Sequence, residues 1–220
     1  MALRGRGGGG TGGGLRTSLV VDLVLLAPAG DRLALFAPAD ASGRRALPSG
    51  APRAGEALDA AAMRLARAAT GGTVAWLEQA RTRTTADGVS VLYVGLIPGP
   101  AADDERWIPR ARAATLGAAA RHLVDEATDA IGNWLDRSPI AFRLLPPAFT
   151  LSDLQDVYEI LLGRTLHKAS FRRALQSARL VSPTKEWRSE GRGRPAQLFR
   201  LAPRARKSWR RGVRFDWLSE

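Results

Sequence analysis

Between Phe149 and Leu201 the sequence is punctuated so tightly that few folds are open to it. Phe149-Thr150-Leu151-Ser152-Asp153 opens a helix, with Thr150 as the cap and Asp153 three residues on in a capping-box position. Leu151, Leu154, Val157, Tyr158, Leu161 and Leu162 share one face, and Gly163 closes the helix. The turn Arg164-Thr165-Leu166 leads into a second helix, His167 to Ala178. Leu180-Val181, Glu186-Trp187, a Gly/Arg tip and Gln197-Leu198-Phe199-Arg200-Leu201 then read as a hairpin. Helix, glycine turn, helix and hairpin in this order predict a winged helix-turn-helix.

Charge is concentrated in the same region. Residues 140–220 hold 17 of the 33 basic side chains but 7 of the 21 acidic ones, so +10 of the total +12 lies in the last 81 residues. Such asymmetry is the footprint of a polyanion-binding module, although a solvated basic surface would look the same. On the second helix Phe171, Ala174, Leu175 and Ala178 turn inward, and Ala169, Arg172, Arg173, Gln176 and Ser177 turn outward. Arg172 and Arg173 can fork onto guanine and Gln176 onto adenine in a major groove. Lys168 and Ser170 stand at the helix N-terminus, where free N–H groups favour phosphate. In the hairpin tip, Glu190-Gly191-Arg192-Gly193-Arg194-Pro195, glycines permit close backbone approach and hold Arg192 and Arg194 for a minor groove. Arg192-Gly193-Arg194-Pro195 resembles the core of an AT-hook. The expected partner is a double-stranded DNA operator. The tail 204–220 is basic and adds phosphate contacts or is simply solvated.

The first 139 residues carry a net charge of only +2 and are patterned as a mixed domain. Residues 1–16, with eight glycines among the first fourteen, have almost nothing to bury and are expected to be disordered. Ser18–Leu26 is a β-rich apolar run, Pro28–Asp31 a turn, and Arg32–Phe36 its hairpin partner. Ala46–Gly50 suits a turn or short strand. Ala54–Ala69 favours a helix that stops at Thr70-Gly71-Gly72. Strands follow at Ala75–Arg83 and Val89–Pro98 around Ala86-Asp87-Gly88, with a short one at Trp107–Pro109. A long helix over 117–136 places Leu123, Ala127, Ile131, Trp134 and Leu135 on one face, suited to an interdomain contact or to a dimer seam. Ser138-Pro139 ends it and begins a linker.

Other chemistry is narrowly bounded. The chain has no cysteine, so disulfides and thiolate metal sites are excluded, and with His122 and His167 as its only histidines it has no histidine-rich metal site. No apolar run approaches the roughly 20 residues of a bilayer span, and the start lacks a signal-peptide apolar core. The chain is therefore read as soluble and cytoplasmic, without membrane contact, catalytic residues, metal or cofactor.

Ser138–Leu201 resembles the C-terminal domain of the Nudix-related transcriptional regulators, the NrtR family. The matching stretches include Pro139-Ile140-Ala141-Phe142, Leu144-Leu145-Pro146, Val157-Tyr158-Glu159, Leu162-Gly163-Arg164, Phe171-Arg172-Arg173 and Gly191-Arg192-Gly193-Arg194-Pro195-Ala196. His167 stands where that family suggests aspartate, which weakens a helix cap. Ala46–Gly50 and Trp76-Leu77-Glu78-Gln79 are similar to parts of the family's Nudix domain. The resemblance implies an α+β chain: a Nudix-like α/β/α sandwich over 17–137, a winged helix over 138–203, a homodimer, and repression of NAD-related genes relieved by a small ligand such as ADP-ribose or, in other members, a sugar-derived signal.

The Nudix box itself is degenerate. A pyrophosphohydrolase holds Mg²⁺ against a diphosphate with hard oxygen ligands, supplied by glutamates on one helix face. Gly50, Glu56 and Arg64 keep the motif's spacing, but Leu65, Ala68 and Ala69 occupy the remaining glutamate positions. One carboxylate of four does not clamp a metal–diphosphate, so Glu56 and Arg64 fit a structural remnant, and the domain is expected to sense rather than cleave. Arg44, Arg45, Arg53, Glu56, Arg64 and Arg67 are the candidate residues for a phosphorylated metabolite effector. Rival readings are an active Nudix hydrolase with a nucleic-acid tether and an architectural or RNA-binding protein without a ligand.

Overall fold

A computed structural model describes residues 18–99, 104–189 and 195–203. Alternation along the first apolar run organises the N-terminal half. In β1 (Ser18–Ala29) Val21, Leu23, Leu25 and Ala27 point to one face, and Val24 and Leu26 to the other. A strand apolar on both faces must be covered on both. β1 pairs in parallel with β5 (Gly88–Leu96) and antiparallel with β2 (Arg32–Phe36) and the short β3 (Ser49–Gly50). β4 (Trp76–Thr85) and β6 (Trp107–Pro109) complete a mixed sheet of order β4-β5-β1-β2-β6 among the described residues.

Helix α1 (Leu58–Thr70) covers one face with Ala61, Ala62 and Ala66, whose small side chains let it lie close over Val21, Leu23, Val91 and Tyr93. It starts four residues later than its composition suggests. The positive φ at Gly55 turns the chain first, and Glu56 folds back to accept from the Arg53 N–H at 2.8 Å. Helix α2 (Ala118–Leu135) covers the other face with Val124, Ala127, Ile131 and Leu135, and Trp76 of the sheet meets Trp134 edge-on at 4.6 Å. Three layers, α/β/α, result.

The apolar core does not stop at Ser138. A 3-10 turn, Ile140–Leu144, buries Ile140, Ala141 and Phe142 directly after Pro139, and the core continues through Phe149, Leu154, Val157, Tyr158, Leu161, Phe171 and Leu175. The stretch expected to be a linker is thus packed, because its side chains are apolar. The buried face of α2 lies inside its own chain, against the sheet and the next helices, so it is an interdomain contact rather than a free seam.

The C-terminal half follows the predicted order: α3 (Leu151–Leu162), α4 (Lys168–Ala178), β7 (Val181–Arg188) and β8 (Ala196–Leu201). Reciprocal hydrogen bonds between Thr150 and Asp153 cap α3. Gly163 closes it at φ 67°, its N–H donating to the Glu159 carbonyl at 2.8 Å. His167 makes no cap bond and instead lies 3.2 Å from the Ser170 hydroxyl, in keeping with the weak cap expected there. Among the described residues no helix is long and apolar enough to cross a membrane.

Candidate DNA interface and the degenerate Nudix box

The outward face of α4 is built by its inward one. Phe171 and Leu175 are fully buried, and the Phe171 ring stands edge-on to Tyr158 of α3 at 5.3 Å. With that stripe fixed, helical geometry turns Lys168, Arg172, Arg173, Gln176 and Ser177 to solvent, and Ser170 sits at the margin. The turn ahead of α4 is clamped by side chains: Gln155 donates to the Leu166 carbonyl at 3.0 Å and to the Glu159 carboxylate at 2.8 Å, which accepts from the Leu166 N–H at 2.8 Å. These two residues clamp the turn between the helices; the sequence reading placed Glu159 only within a matching stretch and gave neither side chain this role, since their targets include backbone atoms of the turn.

The hairpin is anchored at two points. Phe149 and Phe199 exchange backbone hydrogen bonds at 3.0 and 2.7 Å, and Arg188 of β7 meets Asp153 at 2.6 Å. Burial pushes the Asp153 carboxyl up, but Arg188 and the Thr150 bonds outweigh it, and its pKa is lowered. A lowered folded pKa stabilises above the unfolded value and loses that stability as pH falls through the folded one. Arg188→Ala should therefore destabilise the fold by about 1 kcal/mol at neutral pH after solvent screening. The difference from wild type should vanish below the carboxylate range. Thermal unfolding across pH measures this, and a difference unchanged in acid would contradict the pairing. Arg192 and Arg194 lie outside the described residues. On β7, next to the tip, Trp187 is exposed at 58%.

In the N-terminal half the surviving box residues form a brace. Arg64 donates two hydrogen bonds to Glu56, Nε at 2.8 Å and Nη2 at 2.7 Å, and Nη2 reaches the Ala51 carbonyl at 3.4 Å. The Arg64 hydrogen bonds first, then the Arg53 N–H, hold the Glu56 pKa at about 2. The pair staples the loop before α1 onto the helix. Leu65 packs against Gly50, where a Cβ would stand 2.8 Å from its Cδ2. The residue in a glutamate position is thus an apolar filler. Arg106, which the sequence reading did not single out, holds the other end of α1, donating to the Ala69 carbonyl at 3.2 Å while paired with Asp104 at 2.8 Å. No group of three or more histidines, aspartates or glutamates is arranged to hold a metal among the described residues.

The candidate effector arginines are only partly brought together. Glu56 joins Arg53 and Arg64. Arg45 donates to the Ala37 and Glu105 carbonyls at 2.8 Å each and so braces a loop. Arg44 is exposed, 3.8 Å from Asp40, and Arg53 and Arg67 are exposed. Arg45, Glu56 and Arg64 thus carry the fold, which leaves Arg44, Arg53 and Arg67 as the exposed cations of the set.

Comparison with known proteins agrees with both halves. Residues 141–201 match the family model of the NrtR DNA-binding winged helix domain. The ADPR-responsive transcriptional repressor NtrR of Acinetobacter baylyi is 35% identical over 123 residues, 52% of this chain and 49% of the relative, so this chain spans about half the length of that curated protein. The crystal structure of Shewanella oneidensis NrtR with a 27-mer DNA is similar at TM-score 0.69 and 28% identity, covering 88% of this chain and 97% of that one. The same protein without DNA gives 0.73 and 27%, over 89% and 98%. A MutT/nudix family protein from Enterococcus faecalis shares the fold at TM-score 0.61 and 20% identity, over 85% and 88%. The chain is thus NrtR-like in both halves, a Nudix-like domain followed by an NrtR-type DNA-binding winged helix domain.

Proposed function

We propose that this chain is a sequence-specific DNA-binding repressor of NAD-related genes, acting as a homodimer, whose Nudix-like half senses ADP-ribose or a closely related phosphorylated metabolite without cleaving it. The observation that carries the reading is the outward face of α4, where Arg172, Arg173 and Gln176 stand exposed on a helix locked from behind by Phe171 and Leu175. Base reading falls to those three, phosphate contact to Lys168 and Ser170, and minor-groove contact to Arg192 and Arg194. The Acinetobacter repressor's responsiveness to ADPR supports the effector class. Ligand shifts DNA binding only by its differential affinity for two arrangements of the halves, and α2, packed against both, is the element that couples them. Fluorescence anisotropy with an operator duplex tests the reading. ADP-ribose should release the DNA. Tight ADP-ribose binding with unchanged DNA affinity would refute the coupling, and release by a neutral sugar alone would refute the effector class.

The same reading makes the domain inactive as a hydrolase. Leu65, Ala68 and Ala69 offer no oxygen ligands, and Glu56 is held in its bidentate pair with Arg64. At high enzyme concentration, with Mg²⁺ or Mn²⁺, no turnover of ADP-ribose is expected. Metal-dependent product that disappears in Glu56→Gln would overturn this.

A further inference from the structure

A cavity of about 770 Å³ lies where the two halves meet. One wall is the β1–β2 turn, Gly30–Leu33, with Pro109–Ala111 and Thr128 of α2 beside it. The other is the end of α3 and the turn to α4, namely Asp156, Glu159 and residues 160–165. No residue of α1 lines it, so it is separate from the Nudix-box helix.

Its chemistry is uneven. Leu33, Pro109, Ile160 and Leu162 make an apolar surface. Arg110 is half-buried and makes one hydrogen bond, to the Thr128 hydroxyl at 3.3 Å, with no carboxylate in ion-pair reach among the described residues. A guanidinium has five N–H donors and keeps its charge at any physiological pH. None of the Arg110 nitrogens is buried without a partner, so its remaining donors are solvent-accessible along the cavity and open to a ligand. Asp156, on the opposite wall, also has no ion-pair or hydrogen-bond partner among the described residues. Asp156 is an exposed residue; its partial desolvation, then the charges of Glu159 and Asp153, raise its pKa. A group that donates a hydrogen bond is favoured beside it.

We propose that this interdomain cavity binds a small amphipathic anion, with a phosphate or carboxylate head on Arg110, an apolar body over Leu33 and Ile160, and a hydroxyl or amine toward Asp156. The site does not depend on the ADP-ribose reading, because its walls and the α1 region share no residue. Since those walls belong to both halves, an occupant ties the β1–β2 turn to the helix-turn-helix turn.

Calorimetry on the full chain tests this with phenyl phosphate, benzoate and phenol as probes. One or both anions should bind and phenol should not. Phenyl phosphate alone identifies a phosphate site, and benzoate alone a carboxylate site. Arg110→Ala should weaken the anion about tenfold or more, the loss of a charge-assisted pair. Ile160→Trp, which crowds the apolar surface while leaving Arg110 in the chain, should weaken it likewise. Hydrogen exchange should slow at residues 30–33 and 160–165 on binding, and thermal unfolding shows that both variants remain folded. No heat with either anion, binding that both folded variants retain, or protection confined to other segments would overturn the proposal.

Discussion

Replacing Phe171 by alanine is expected to cost about 3–5 kcal/mol, the penalty for emptying the space of a buried aromatic ring. Phe171 is fully buried, edge-on to Tyr158, in the core that joins α3 to α4. A small domain has only about 5–15 kcal/mol to lose, so the variant should melt far below wild type and lose DNA binding because α4 is no longer held. Phe171→Leu keeps most of the volume and should cost much less. Denaturant unfolding of both variants measures it. A loss under about 1 kcal/mol for the alanine variant would mean that α4 does not depend on this contact.

Arg173→Ala should leave the fold untouched and damage recognition. The side chain is exposed, so stability should stay within about 0.5 kcal/mol of wild type. The loss of one forked base contact should cost about 1–3 kcal/mol at the cognate site, and discrimination at that base should relax. If Arg192 takes the proposed minor-groove role, Arg192→Ala should weaken all sequences more evenly and reduce the salt slope by about 1. Anisotropy titrations over a salt series on cognate and shuffled duplexes separate the two effects. If both variants bind like wild type, the roles assigned to helix and wing are wrong.

Most of the winged half was legible because its signals are local. Thr150 and Asp153 lie three residues apart and cap each other, Gly163 ends α3 in the left-handed region, and the stripe of Phe171 and Leu175 follows the helical period. The clamp of Gln155 and Glu159 on Leu166 escaped notice, since a polar side chain gives no hint that it will cap a turn. Arg188 was equally silent, its partner Asp153 being 35 residues away.

In the Nudix-like half, spacing set against the motif of the family it resembles exposed the broken box, because metal ligands must share a helix face and Leu65, Ala68 and Ala69 carry no oxygen. Spacing could not reveal that Arg45 is occupied by the Ala37 and Glu105 carbonyls, because loop closure determines those contacts, whereas the structural role expected of Glu56 and Arg64 matches their pairing. The sequence by itself thus determined the elements, their order, and which helix face is basic, since period, capping and charge are properties of neighbouring residues. Only the tertiary structure decided that α2 turns its apolar face inside its own chain, that the stretch after Ser138 is packed, and that Arg110 faces a cavity between the halves. Each of these depends on which distant surfaces meet, and apolar burial, being non-directional, does not specify its partner in advance.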